Sequence, residues 1–143
     1  MFNKILVVCV GNICRSPSGE YLLKKLLHNK HVASAGVGAL VGKTADKMAA
    51  EVALENGVSL DGHIAQQLKS ELCREYDLIL VMEKGHVEAV TKIAPEARGK
   101  TMLFGQWVGQ RDIPDPYRQS REAFEHAYSL IDEAAKAWAK KLN

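Results

Sequence analysis

The sequence has no run of lysine or arginine, no marked excess of one charge, and no long apolar stretch. Its 19 basic and 17 acidic residues leave a formal charge of +2 spread along the chain. No basic track is available for a nucleic-acid backbone, so no nucleic-acid partner is expected. The apolar runs, such as residues 5–8 and 78–82, are strand-sized. They fall far short of the roughly 20 residues that cross a bilayer, so no membrane insertion is expected. No apolar signal segment precedes the first run, and a cytoplasmic location is the expectation. Cysteine is scarce: Cys9, Cys14 and Cys73 are an odd number, which argues against a disulfide framework and makes individual reactivity the question. His28, His31, His63, His86 and His126 show no metal-ligand spacing among themselves or with the cysteines; neither a metal nor another cofactor is expected. Internal repeats, low-complexity segments and linkers are also missing.

What is present is the size and balance of one globular domain, read over residues 1–143, with 47% apolar and 25% charged residues. Residues 4–8 read as a strand buried on both faces and broken at Gly11 and Asn12. Ser16 as N-cap and Pro17 as first helical residue open a helix carrying Leu22, Leu23, Leu26 and Leu27. Residues 31–35 are a second strand, residues 45–56 a helix closed by Gly57, and residues 66–74 a third helix. Residues 78–82 are the clearest strand. A helix over 85–93, stopped by Pro95, and a weaker strand over 101–104 follow. Residues 105–117 carry two glycines and two prolines without a period, which predicts a long surface loop. Phe124, Ala127, Tyr128, Ile131, Ala135 and Trp138 mark one face of a terminal helix. Strands alternating with helices predict an α/β fold, a parallel sheet flanked on both sides by helices. Ligands in such sheets sit at the carboxyl ends of the strands, where the loop after the first strand lies.

Residues 9–16 read Cys-Val-Gly-Asn-Ile-Cys-Arg-Ser. A turn of this length feeding a helix can aim successive N–H groups into one concavity, and the helix end adds about half a positive charge. Gly11 allows close approach or a positive φ, Asn12 tolerates a left-handed conformation, and Arg15 offers a planar fork that matches two phosphate oxygens. The same dipoles and guanidinium favour thiolate over thiol at Cys9, supplying a nucleophile at neutral pH, with Ser16 placed to donate to it. Attack on phosphorus needs a proton for the leaving oxygen. Asp115, stiffened by Pro114 and Pro116, is the candidate acid and later the base that activates water, and Tyr117 is an aromatic wall for a flat ring. A cysteine and an arginine six positions apart carry little alone, since free cysteine is commonly a buried small hydrophobe. The preceding strand, Gly11, Asn12, Ser16-Pro17 and the distant Asp115 lift the pair above that reading. Cys73, beside Leu72, reads as core, and Cys14 either packs beneath the loop or reacts. Trp138 fits the core stripe, while Trp107 is a candidate for the cleft border.

Residues 9–17 together with Asp115-Pro116-Tyr117 resemble the low-molecular-weight protein tyrosine phosphatases, at both ends of the chain and at matching length. The resemblance implies a four-stranded parallel sheet with a phosphate-binding loop between the first strand and first helix. It also implies hydrolysis of phosphotyrosine through a phosphocysteine, with Cys9 as nucleophile, Arg15 as clamp and Asp115 as acid and base. Val10, Gly11, Asn12, Ile13, Cys14 and Ser16 then bind phosphate or support the loop, and Cys14 matches a second loop cysteine able to pair reversibly with the nucleophile. Residues 38–43 and 102–105 resemble the enzymes of Gram-negative bacteria that accompany a tyrosine autokinase in capsule or exopolysaccharide export. A membrane autokinase with a phosphorylated cytoplasmic tail is the implied partner. Leu40 stands where many eukaryotic members carry an aromatic, which implies a more open cleft.

Three rivals are weaker. Residues 36–44 resemble a nucleotide-binding loop, with Glu83 as a magnesium-binding strand end, but the position five before Gly42 is Val37 rather than glycine. Thiol-dependent arsenate reduction on the same fold wants a further cysteine pair, and only Cys73 is available. Phosphoarginine hydrolysis goes with threonine at the position of Ile13, whose apolar bulk favours an aromatic ester.

Overall fold

The computed structural model describes residues 2–143. In chain order the elements are β1 (Lys4–Cys9), α1 (Arg15–Leu26), β2 (His31–Gly36), α2 (Lys47–Glu55), α3 (Ser70–Arg74) and β3 (Leu78–Val81). They are followed by α4 (Lys84–Ile93), a 3-10 turn (Pro95–Lys100), β4 (Thr101–Leu103) and α5 (Arg121–Leu142). The four strands form one parallel sheet in the order β2-β1-β3-β4.

Strand periodicity divides the core. Ile5, Val7 and Cys9 face a cluster with Leu22 and Leu23 of α1, Val52 of α2 and Phe124, Ile131 and Trp138 of α5. Leu6 and Val8 face the opposite cluster with Ile79, Val81, Cys73 and Val90 of α4. Burial on both faces is why β1 and β3 read as continuous apolar runs rather than alternating ones. All six residues of the terminal-helix stripe are buried. Trp138 further donates from Nε1 to the Leu103 carbonyl at 3.2 Å.

Three local expectations are corrected. Ser16 is not the N-cap: α1 begins at Arg15 with Cys14 as its cap. The Ser16 hydroxyl is engaged by Cys9 and Asn12 instead, and Pro17 is tolerated because first-turn N–H groups have no intrahelical partner. α2 starts at Lys47 because the Asp46 carboxylate caps it, accepting from the N–H groups of Met48 (3.0 Å) and Ala49 (3.2 Å). The helix expected over 66–74 shrinks to Ser70–Arg74. Residues 66–68 run along β2 instead: the Gly36 N–H donates to the Gln66 carbonyl (3.0 Å) and the Leu68 N–H to the Gly36 carbonyl (2.8 Å).

β1 has β2 on one side and β3 on the other, so its carboxyl end is the switch point where such sheets open a crevice. The loop of residues 104–120 crosses that end and is fastened there. Ile113 is buried, and its N–H donates to the Met82 carbonyl at 2.8 Å.

Candidate active site

The loop after β1 turns its carbonyls outward. Those of Cys9, Val10, Gly11 and Ile13 accept from the N–H groups of Val37, Gly38, Leu40 and Asp46 at 2.8–3.0 Å, and that of Asn12 accepts from His63 Nε2 at 2.6 Å. Among the described residues, no backbone acceptor meets the N–H groups of residues 10–14. A ring of donors at the head of α1 is therefore left for an anion.

The turn is held by Asn12, fully buried and left-handed at φ 60°. Its Nδ2 donates to Ser16 Oγ (2.7 Å) and Ser34 Oγ (3.0 Å), and its Oδ1 accepts from the Gln66 N–H (2.9 Å). Ser34 passes its own hydrogen to Glu20 Oε1 at 2.6 Å. Because Ser16 Oγ accepts from Asn12, its hydrogen is free to donate to Cys9 Sγ, 2.9 Å away. Gly11 has no positive φ, and a Cβ there would meet only ordinary protein contacts, at 3.7 Å or more. Gly36 is the glycine the loop demands, since a Cβ there would sit 2.2 Å from the Val10 carbonyl oxygen. The segment of residues 36–44 thus supports the Cys9 loop and does not lead directly into a helix, as a nucleotide-binding loop does.

Arg15 is only 2% exposed. A buried guanidinium must be paired, and Nη1 donates to a carboxylate oxygen of Glu83 and to the Ile113 carbonyl (2.8 Å). Asp115 Oδ2 lies 3.7 Å from Nη2, while Asp115 Oδ1 accepts from the Tyr117 N–H at 3.1 Å and Gln119 Nε2 donates to the Asp115 carbonyl at 3.1 Å. The carboxyl group is thereby fixed by its own turn as well as by the two prolines.

These residues enclose a cleft of about 190 Å³, lined by Cys9, Val10, Gly11, Ile13, Cys14, Arg15, Gly38, Leu40, Asp115 and Tyr117. Of the residues expected at the site, Asn12 and Ser16 alone stand behind the lining. Val10 and Leu40 are exposed at its mouth. Cys14 is buried, and burial pushes its thiol well above the usual range, reinforced by the charges of Asp46, Cys9 and Asp115. Trp107 is corrected: it packs edge-on against Trp138 at 5.5 Å with Lys141 over its ring, away from the cleft lining. Sequence reasoning missed Gly38, Ser34, Glu20, Gln66 and the part played by Glu83. Glu83 alone had a signal, its position at the carboxyl end of a strand next to β1. Beside it, His86 Nε2 is 3.7 Å from the Glu83 carboxylate. Burial and then the Arg15 charge lower the proton affinity of that imidazole, against opposing pulls from Glu83, Asp112 and Asp115. Among the described residues, no group of three or more His, Cys, Asp or Glu side chains is arranged to hold a metal ion.

Comparison with known proteins gives the same picture. The chain is 61% identical over 143 residues to the low molecular weight protein-tyrosine-phosphatase Wzb of Salmonella typhimurium, covering 100% of this chain and 96% of that protein. Its fold matches Vibrio vulnificus Wzb in complex with benzylphosphonate with a TM-score of 0.97 at 74% identity, covering 99% of both chains. It matches the tyrosine phosphatase Wzb from Escherichia coli K30 in complex with sulphate with a TM-score of 0.99 at 58% identity, covering 100% of both. The family model for low molecular weight phosphotyrosine protein phosphatase matches residues 4–143, and the chain belongs to that family.

Proposed function

We propose that this chain hydrolyses phosphotyrosine and small aryl phosphates through a phosphocysteine on Cys9. The observation that carries this reading is the convergence of a cysteine sulfur, a buried guanidinium and a carboxyl group on one cleft beneath a ring of unpartnered N–H groups. In the first step Cys9 Sγ attacks phosphorus. The S–P bond forms as the bond to the phenolic oxygen breaks, and that oxygen takes the proton of Asp115. Arg15 and the loop N–H groups hold the remaining oxygens as charge builds on them. In the second step Asp115, now a carboxylate, takes a proton from water as the water oxygen attacks phosphorus. The S–P electron pair returns to sulfur, where the Ser16 hydroxyl donates to it. Ester and water become phenol and phosphate, with Asp115 again protonated. Tyr117, Leu40, Val10 and Ile13 supply walls for the ring.

The physiological substrate is a phosphotyrosine protein, and a membrane tyrosine autokinase with a phosphorylated cytoplasmic tail fits best. The similarity to Wzb proteins and the resemblance of residues 38–43 and 102–105 to enzymes of polysaccharide export support this partner. A cytoplasmic enzyme of one domain suits such a tail, and no helix among the described residues is long and apolar enough to cross a membrane. Arsenate reduction lacks its resolving thiol, because Cys73 is fully buried. The test is phenol release from phenyl phosphate without added metal, by this protein and by Cys9→Ser. Turnover abolished by the substitution supports the reading, and turnover retained by Cys9→Ser defeats it.

A further inference from the structure

Tyr117 is a wall shared by two depressions. One is the cleft over Cys9. The other is a groove of about 520 Å³ between the first turns of α2, with Asp46, Lys47 and Glu51, and the turn that carries Arg118 and Gln119. The acidic groups of the groove are already engaged. The Asp46 carboxylate caps α2 through two N–H groups, and Glu51 lies 3.7 Å from Arg121. Lys47 and Arg118 form no ion pair among the described residues. The formal charges lining the groove cancel, two acidic against two basic, and Lys47 and Arg118 are the pair left without a charged partner, directly beside the ring wall of the cleft.

Arg118 is also held there. Its backbone is left-handed at φ 62°, a conformation uncommon for a residue with a side chain. The turn that imposes it is closed by the Gln119 N–H donating to the Pro116 carbonyl at 2.8 Å and by the two bonds that fix Asp115. The guanidinium lies over the Tyr117 ring, 5.2 Å from its centroid. A guanidinium attracted to a ring face in this way still has N–H donors for an anion.

We propose that this groove receives the residues flanking the phosphotyrosine, and that Lys47 and Arg118 select an anionic side chain, carboxylate or phosphomonoester, close to it in sequence. The groove and the cleft share Tyr117, and an extended peptide advances about 3.3 Å per residue, so the selected side chain lies near the phosphotyrosine in sequence. The proposal rests on reading the cleft as a phosphotyrosine-protein site. Lys47 and Arg118 do not touch the reacting atoms, so the selection acts on KM with kcat unchanged.

The test measures kcat/KM for phosphotyrosine peptides carrying glutamine, glutamate or phosphoserine one to three positions to either side, with phenyl phosphate run on the unmodified protein. The glutamate peptide on the favoured side is expected to exceed the glutamine peptide by about 3- to 10-fold, as two partly exposed ion pairs allow. The gain is expected in KM and to decline as salt is raised. Phosphoserine well above glutamate identifies a multiply phosphorylated segment as the source of the anion, and parity identifies an acidic one. In a Lys47→Gln, Arg118→Gln double variant the glutamate-to-glutamine ratio falls to near unity. Equal kcat/KM for all three peptides on both sides, with phenyl phosphate still turned over, overturns the groove alone. A preference that survives the double variant, or one indifferent to salt, overturns it as well. Failure of the unmodified protein to turn over phenyl phosphate overturns the reading of the cleft, and the groove with it.

Discussion

Replacing Asn12 separates two things this residue does. Asn12→Ala deletes three buried side-chain hydrogen bonds, to Ser16, to Ser34 and from Gln66. At about 0.5–1.5 kcal/mol net each they amount to roughly 1.5–4.5 kcal/mol. Alanine must also adopt the left-handed φ of 60°, which costs about 1 kcal/mol or more for a residue with a Cβ. The expected loss is about 3–5 kcal/mol. Asn12→Gly deletes the same bonds without the conformational cost, so glycine should be the more stable of the two by about 1 kcal/mol, the reverse of their order in a helix. Urea unfolding of the three proteins measures both quantities, and phenyl phosphate turnover of the variants should fall about tenfold or more as the loop loosens. An alanine variant as stable as the glycine one, or a loss under about 1 kcal/mol, would refute this account of the turn.

Iodoacetamide near neutral pH should alkylate Cys9 alone, with inorganic phosphate protecting it. All three cysteines are buried, but Cys9 Sγ has the Ser16 hydroxyl beside it at the cleft, whereas burial pushes the Cys14 and Cys73 thiols up, so peptide mapping that finds label on either contradicts the assignment of reactivity. Asp115→Ala should slow turnover most for aryl phosphates with poor leaving groups, and an unchanged dependence on phenol acidity removes Asp115 as the acid. His86 binds a proton less readily folded than unfolded. It therefore stabilises the fold above the unfolded pKa of about 6.5, and that stability is lost as pH falls from there through the lower folded value. Denaturation midpoints measured at a series of pH values should show a shallower decline below about pH 6.5 for His86→Gln, and an identical slope contradicts the burial argument.

Much of the fold was legible because β1 and β3 are apolar on both faces and α5 carries an unbroken stripe. The Cys9 loop was legible because its parts are contiguous in the chain, and Asp115 because two prolines frame it. What the sequence hid are partners that meet only through sheet register. Cys9 pairs with Gly36, and Val8 with Val81, and this alone brings Ser34 and Glu83 to the loop. Gln66 and Gln67 suit a helix, yet the free edge of β2 takes their backbone, a tertiary override of local propensity. Trp107 shares the loop of Asp115, but the loop folds back where Gly105 pairs with Arg111, and the indole packs on α5. Ser16 has the spelling of an N-cap, and its hydroxyl is instead spent on the cysteine.

The most direct test of the account is where phosphate resides during turnover. Asp115→Ala, which lacks the base for the second step, is mixed with a labelled aryl phosphate that has a good leaving group, quenched within the first turnover and mapped. The account predicts one phosphoryl group per chain on Cys9 and none in a Cys9→Ala, Asp115→Ala double variant. Phenol released by Asp115→Ala with no label on Cys9, or label retained after Cys9 is replaced, would contradict it.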